Sequence, residues 1–189
     1  MAFEDYKTKD SVVIVYTGDG KGKTSAGLGL LVRALGNRDS VAFIQFVKYW
    51  GVSEHIFLRD IKLLFKDQLF VHKGGRGFYK AGDLSEKHIS ESQHKNAAKN
   101  TLRIACETVS SGKYNLVICD EINNAVHDGL LTKTDLQSLI SVRAPQTSLC
   151  LTGRNFPKSL LKYVDIATNM QKIKHHFDDK YLAKKGIDY

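Results

Sequence analysis

The stretch that decides the fold is Thr17–Ser25, which reads TGDGKGKTS. It follows an apolar, β-branched run at Val12–Tyr16 and leads into a helical pattern at Thr24–Leu35, which is the strand–loop–helix context of a P-loop. Its glycines let successive backbone N–H groups turn toward phosphate oxygens, and the helix N-terminus adds partial positive charge. The predicted nucleotide-binding residues are Gly18, Asp19, Gly20, Lys21, Gly22, Lys23, Thr24 and Ser25.

Two side chains of this loop carry specific chemistry. Lys23 can offer a mobile ammonium to the phosphates, and the hydroxyl of Thr24 can bind Mg²⁺. The usual pattern G-x-x-x-x-G-K-[ST] has glycine where this chain has Thr17, so the loop is a variant. The alternative is a glycine- and lysine-rich surface turn that binds nothing, and the strand, the helix and the G-K-T ending together argue against it.

Two further elements follow predicted strands and should reach the same site. The apolar run at residues 116–119 ends in Asp120 and Glu121, the form of a Walker B segment. Asp120 could hold Mg²⁺ directly or through water, and Glu121 could contact a ribose hydroxyl, a metal-bound water or a nucleophile. Arg154, in the segment Thr152–Asn155, could bind phosphate with two hydrogen bonds. Open α/β sheets bind ligands at the carboxyl ends of their strands, where all these residues would meet.

The rest of the chain alternates between strand-like and helix-like stretches. Apolar runs predict further strands at Val41–Phe46, Leu69–His72, Leu116–Asp120, Ser148–Thr152 and Ile166–Met170. Helices are predicted at Asp83–Ser110, where Asp83 and Glu86 have capping-box spacing, at Thr132–Val142 and at Pro157–Tyr163. We therefore predict an α/β fold of the P-loop NTPase (RecA-like) type, a mostly parallel sheet flanked by helices. A single domain would span residues 11–189, after a flexible arm at residues 1–10.

Composition narrows the class of protein. With 189 residues and 42% hydrophobic residues, the chain can bury a substantial core, which excludes disordered and disulfide-stapled proteins. A net charge of +8 favours anionic ligands, but the basic residues are dispersed, so we expect a phosphorylated small molecule and no nucleic acid. Apolar runs are too short to span a membrane, and three scattered cysteines suggest reduced thiols and a cytoplasmic location.

These motifs together resemble one enzyme family. The loop Gly18–Thr24 closely resembles the G-N-G-K-G-K-T loop of the P-loop-type ATP:corrinoid adenosyltransferases, with Asp19 in place of asparagine. The absence of glycine at position 17 is normal in that family. Further similar segments, in the family's order, are Phe43–Lys48, Gly77-Phe78, Cys119–Asn123, Gly129–Leu131, Thr152–Arg154, Lys174–Asp178 and Lys185–Tyr189.

The resemblance implies a reaction and a set of substrates. Co(I) of a reduced corrinoid would attack the C5′ carbon of ATP, and triphosphate would leave. Lys23, Glu121 and Arg154 would serve the reaction, while Thr24 and Asp120 would hold Mg²⁺. A flavin-dependent reductant and a homodimer are also implied.

The resemblance also suggests which residues contact the corrinoid. Aromatic residues after the Gly-Phe step would shield its lower face, a role for Phe78. This chain has Lys80 where the family frequently has tryptophan, so Tyr79 or Trp50 could complete the shield. The candidate corrinoid contacts are Phe46, Lys48, Phe78 and Tyr79.

Two other functions remain open on the residues alone. A RecA-like ATPase or nucleotide kinase would use Glu121 to activate a nucleophile at the γ-phosphate. A nucleic-acid-binding module, which the dispersed charge disfavours and no recognition motif supports, would use the lysines near the end of the chain, namely Lys172, Lys174, Lys180, Lys184 and Lys185.

Overall fold

A six-stranded parallel sheet forms the centre of the protein, in a computed structural model that describes residues 5–48, 51–77, 79 and 88–189. The strands are β1 (Val13–Thr17), β2 (Val41–Gln45), β3 (Leu69–Lys73), β4 (Leu116–Asp120), β5 (Ser148–Thr152) and β6 (Ile166–Asn169). Their order is β3-β2-β4-β5-β1-β6, and every neighbouring pair is parallel. The carboxyl ends of all six strands therefore lie at one edge of the sheet.

Helices cover both faces of this sheet. They are α1 (Lys23–Gly36), α2 (Ser53–Phe65), α3 (Glu91–Ser110), α4 (Ile122–His127) and α5 (Lys133–Ser141). Short 3₁₀ turns occupy Lys66–Gln68, Lys158–Tyr163 and His176–Asp179. In β4, Leu116 and Ile118 pack with α1 and α2, whereas Val117 and Cys119 pack with α3, α4 and α5. Because both faces are covered, the central strands are apolar at successive positions.

The structure confirms the predicted α/β class and all six predicted strands, each to within one residue at either end. Helices α1 and α5 also agree with their predicted bounds to within one residue. The stretch Pro157–Tyr163 was predicted to be a short helix, and it forms a 3₁₀ helix from Lys158 to Tyr163.

The predicted start of the long helix at Asp83 was wrong. Helix α3 begins at Glu91, and residues 88–90 are not helical. The Ser90 hydroxyl accepts a hydrogen bond from the backbone N–H of Gln93, and the Gln93 side chain accepts one from the Ser90 N–H. This second capping box satisfies the first free N–H groups of the helix, so the helix starts there. Asp83 and Glu86 lie outside the described residues.

Helices α2 and α4 were missed by the sequence analysis. In α2 only Leu58 is buried, and several large apolar side chains face solvent. The apolar residues therefore do not form the single stripe along one face that predicts a helix. Helix α4 has only six residues and begins directly after β4, too short for a periodic pattern to show.

The remaining expectations concern the cysteines, membrane-spanning helices and the N-terminal residues. Cys106, Cys119 and Cys150 are all free thiols. Among the helices described, none is both long and apolar enough to cross a membrane. Residues 5–10 are exposed, with Lys9 ion-paired to Asp165; the flexible arm at residues 1–10 stays a prediction.

Candidate active site

The glycine-rich loop between β1 and α1 curls tightly against the end of β6. Gly18 and Gly22 have φ angles of +102° and +105°, which favour glycine. A Cβ atom on Gly18 would lie 2.4 Å from Asn169 Oδ1, and one on Gly20 would lie 2.6 Å from the carbonyl oxygen of Met170. The N–H of Gly20 donates to that carbonyl at 2.6 Å. The loop can take this shape only because these positions lack side chains.

Lys23 places its ammonium inside the curl of the loop. Its Nζ donates to the carbonyl oxygens of Gly18 at 2.8 Å and of Gly20 at 2.6 Å. The side chain is largely buried, and this desolvation lowers the pKa of Lys23, opposed by the nearby carboxylate of Glu121. An ammonium at the first turn of α1 adds its positive charge to that of the helix N-terminus, an arrangement that suits an anion.

The adjacent acids Asp120 and Glu121 occupy different surroundings. Asp120 is fully buried, and its two oxygens accept hydrogen bonds from Thr152 Oγ1 at 2.6 Å and Gln45 Nε2 at 2.8 Å. Glu121 has a left-handed backbone, φ +62°, and its N–H donates to Thr152 Oγ1. The Glu121 Oε2 atom is buried and has no hydrogen-bond partner among the described residues. Burial, reinforced by the charge of Asp120, raises the pKa of Glu121 to about 7.

Lys48, just after β2, lies among oxygen atoms from three elements. Its Nζ is 3.0 Å from Glu54 Oε1, 3.4 Å from Thr24 Oγ1 and 3.9 Å from Asp120 Oδ2. Burial opposes the charge, but the carboxylates of Asp120, Glu121 and Glu54 outweigh it and raise the pKa of Lys48. Sequence reasoning missed Glu54, because its position on α2 was not predicted and no motif marks it.

A cavity of about 590 Å³ joins these groups at the carboxyl edge of the sheet. Residues 19–25 of the loop, Lys48, Glu121 and Arg154 all line it, together with α2 and residues 186–189 of the chain. Gly18 lies behind the lining, where its carbonyl binds Lys23. Asn124 also lines the cavity, and its Oδ1 accepts the Arg154 N–H at 2.6 Å, which fixes the turn that carries Arg154. The structure therefore brings the glycine-rich loop at residues 17–25 (the phosphate loop), Glu121 and Arg154 to one cavity, whereas Asp120 is buried and does not line it.

The candidate corrinoid contacts are less closely grouped. Lys48 lines the cavity, whereas Phe46 is 2% exposed and packs in the core on the α3 side of the sheet. Tyr79 packs its ring 5.1 Å from the ring of His94 and does not line the cavity. Phe78, Lys80 and Trp50 lie outside the described residues, so their predicted roles stay predictions.

Comparison with known proteins identifies the family. The family model described as ATP:corrinoid adenosyltransferase BtuR/CobO/CobP matches residues 9–189. This chain belongs to the ATP:corrinoid adenosyltransferase family. As a family member it is a transferase, and the ATPase or kinase alternative is not favoured.

Relatives of this adenosyltransferase family align over nearly the whole chain. A corrinoid adenosyltransferase of Pseudomonas aeruginosa is 28% identical over 179 residues, covering 94% of this chain and 83% of the relative. The corrinoid adenosyltransferase CobA of Salmonella typhimurium is 28% identical over 187 residues, covering 94% and 85%. That of Escherichia coli K12 is 27% identical over 179 residues, covering 94% and 85%.

A solved structure supports the fold of this adenosyltransferase. The flagellar accessory protein FlaH from Methanocaldococcus jannaschii superposes with a TM-score of 0.54 and 14% identity, covering 85% of this chain and 71% of FlaH. At that identity the likeness shows the fold alone, and it agrees with the predicted P-loop NTPase architecture.

Proposed function

We propose that this protein transfers the 5′-deoxyadenosyl group of ATP to Co(I) of a reduced corrinoid. The electron pair of Co(I) forms the cobalt–carbon bond at C5′, the C5′–O bond breaks, and the triphosphate departs with that bonding pair. The observation that carries the proposal is the single cavity in which the phosphate loop, Glu121 and Arg154 meet, in a chain of this family.

This reaction requires the protein to position the two substrates and to stabilise the charge on the leaving group. Co(I) is already a strong nucleophile, so the attacking atom needs no general base. Negative charge grows on the leaving triphosphate, and the loop N–H groups, Lys23 and Arg154 would stabilise it. Each well-placed donor can lower such a barrier by about 3 kcal/mol. Glu121, with an oxygen free to accept at the cavity wall, would contact a ribose hydroxyl or a metal-bound water.

The residues present also fit a bound Mg²⁺ ion. The oxygens of Thr24, Glu54 and Asp120 already surround a cation, the ammonium of Lys48, and hard oxygen donors of this kind suit Mg²⁺. We propose that Thr24 holds the ion directly. Both oxygens of Asp120 are already hydrogen-bonded, which favours contact through water. The ion would supply further positive charge beside the triphosphate.

The corrinoid partners are proposed from family membership and from position. Phe78 and Tyr79 would shield the lower corrin face, which raises the reduction potential of cobalt toward that of a flavin-dependent reductant. Lys48, at the cavity wall, would contact the corrinoid or the nucleotide, and Phe46 would support that wall from the core.

We also propose a homodimer. Three free thiols agree with a reducing compartment, and we propose the cytoplasm.

Anaerobic incubation with ATP, Mg²⁺ and chemically reduced cobalamin tests this function. We expect the corrinoid spectrum of adenosylcobalamin to appear together with inorganic triphosphate. The Lys23→Ala variant should lose about 100-fold or more in kcat/KM, since one donor to the leaving group is gone. The Lys99→Ala variant, changed at an exposed lysine on α3, serves as a control and should keep its activity. Orthophosphate release without any change in the corrinoid would instead support an ATPase or kinase.

A further inference from the structure

The C-terminal segment Lys184–Tyr189 lies against the phosphate loop. Gly186, Ile187, Asp188 and Tyr189 line the same cavity as residues 19–25 of the loop. The motif at Lys185–Tyr189 contributed to the family resemblance, but the function proposed above gives it no part. Its contacts indicate what it does.

Asp188 is the centre of these contacts. Its Oδ1 lies 2.6 Å from the Nζ of Lys21, in the phosphate loop, and its Oδ2 accepts the N–H of Lys184 at 2.7 Å. The Asp188 side chain is only 6% exposed, whereas its neighbour Ile187 is 66% exposed. The segment therefore buries one carboxylate against the phosphate loop, while most of its other residues are exposed to solvent.

Further contacts hold the segment and its carboxylate in place. The hydroxyl of Ser53, at the start of α2, donates to the main-chain oxygen of Tyr189 at 2.9 Å, and Gly186 N–H donates to the same oxygen at 2.8 Å. The rings of His175 and His176 lie 3.9 Å and 3.5 Å from the Asp188 carboxylate. The segment thus connects the phosphate loop with α2.

The ammonium of Lys21, held in this way, can bind a phosphate group. Lys21 has three N–H donors, and Asp188 accepts from one, while Lys21 still lines the cavity and its side chain is 40% exposed. A free lysine side chain loses up to about 2 kcal/mol of rotamer entropy when a ligand orders it, and a lysine already ordered by a carboxylate loses less. Lys21 also lowers the pKa of Asp188 to about 2, so Asp188 is a carboxylate at neutral pH.

We propose that Asp188 is a positioning residue of the nucleotide site, which orders Lys21 of the phosphate loop for contact with the polyphosphate of the substrate. The proposal rests on the proposed function only in that the ligand is a nucleoside triphosphate. It gives the C-terminal segment a part in binding: the segment completes the cavity wall and holds Lys21, one cation of the anion site, in place.

Binding of inorganic triphosphate, measured by calorimetry on the full chain without corrinoid, tests this role. We expect Asp188→Asn to weaken binding by about tenfold, the size of one charge-assisted hydrogen bond. Lys21→Met should weaken binding at least as much. The double variant should bind no more weakly than Lys21→Met alone, because Asp188 acts through Lys21. Asp188→Glu should recover part of the affinity.

A matched control separates positioning from general loss of structure. Asp179→Asn changes an exposed carboxylate elsewhere in the C-terminal region and should bind triphosphate like the unchanged protein. Unchanged or tighter binding by Asp188→Asn would overturn the proposal, since a carboxylate that merely competes with phosphate gives that result. Additive losses in the double variant would also overturn it. The assay needs no corrinoid, so a failure of adenosyl transfer, which would refute the proposed function, is a separate result.

Discussion

At the scale of single residues, Asp120 and Glu121 show how backbone geometry separates two neighbouring carboxylates. Asp120 ends a buried strand and is held by Thr152 and Gln45. Glu121 turns away through its left-handed backbone and lines the cavity. One acid therefore organises the strand ends, while the other keeps an oxygen for a ligand.

The raised pKa of Glu121 predicts a pH dependence of stability. The carboxyl titrates near pH 4.5 when unperturbed and near pH 7 when folded, so between these values the folded protein binds more protons than the unfolded chain. The free energy of unfolding should therefore fall as pH rises through that range, by about 1–3 kcal/mol. Urea titrations at pH 5 and pH 8 measure the change.

Matched variants assign this dependence to the one carboxyl. Glu121→Gln should remove most of the fall between pH 5 and pH 8, because the amide does not titrate. Glu107→Gln, changed at an exposed acid on α3 that pairs with Arg103, should leave it in place. An equal fall in Glu121→Gln and the unchanged protein would contradict the prediction.

At the scale of elements, the start of α3 is marked by the capping box of Ser90 and Gln93, whereas the sequence analysis placed it at Asp83. Asp83 and Ser90 each precede a residue with capping-box spacing, Glu86 and Gln93, and the helix begins after Ser90. The same device caps α5, where Thr132 and Asp135 exchange hydrogen bonds. Capping residues therefore indicate where a helix can start, and α3 starts at the box formed by Ser90 and Gln93.

The cap of α3 has a measurable contribution. Ser90→Ala removes the acceptor for the Gln93 N–H and should lower the free energy of unfolding by about 1 kcal/mol. Ser90→Asn supplies another capping oxygen and should restore most of that loss. Equilibrium urea denaturation of the three proteins gives the comparison, and equal stability of all three would show that Ser90 does not cap the helix in solution.

At the scale of the whole molecule, the parallel sheet gathers residues that lie far apart in the chain. Because all six strands run the same way, the segments that follow them meet at one edge. The phosphate loop follows β1, Lys48 follows β2, Glu121 follows β4 and Arg154 follows β5. Helix α2 and the C-terminal segment then close the cavity from the side.

A site assembled from so many segments should couple ligand binding to global stability. A ligand that binds only the folded state at 100 times its Kd adds about 2.7 kcal/mol to the free energy of unfolding. We expect ATP with Mg²⁺ to raise the melting temperature and Lys23→Ala to abolish most of the rise. Adenosine, which lacks the triphosphate, should have little effect. A rise of equal size in Lys23→Ala would show that the ligand binds elsewhere.

The sequence by itself determined the strands, the phosphate loop and the family of this protein. Glycines at 18, 20 and 22, the lysine at 23 and the acids at 120 and 121 have fixed spacing within short segments. Such spacing predicts a binding loop without knowledge of the tertiary structure, because a short loop of this kind can wrap around an anion in only a few ways.

Only the tertiary structure decided which other residues complete the site. Glu54 sits in a segment without a motif, and Asp188 sits in a family-like segment to which the sequence analysis gave no role, yet each contacts a lysine at the cavity, Lys48 and Lys21 respectively. Likewise, Phe46 follows a strand that ends at this edge, but it turns into the core. Contacts between distant segments and the direction of a side chain depend on how helices and loops pack over the sheet, which no local pattern records.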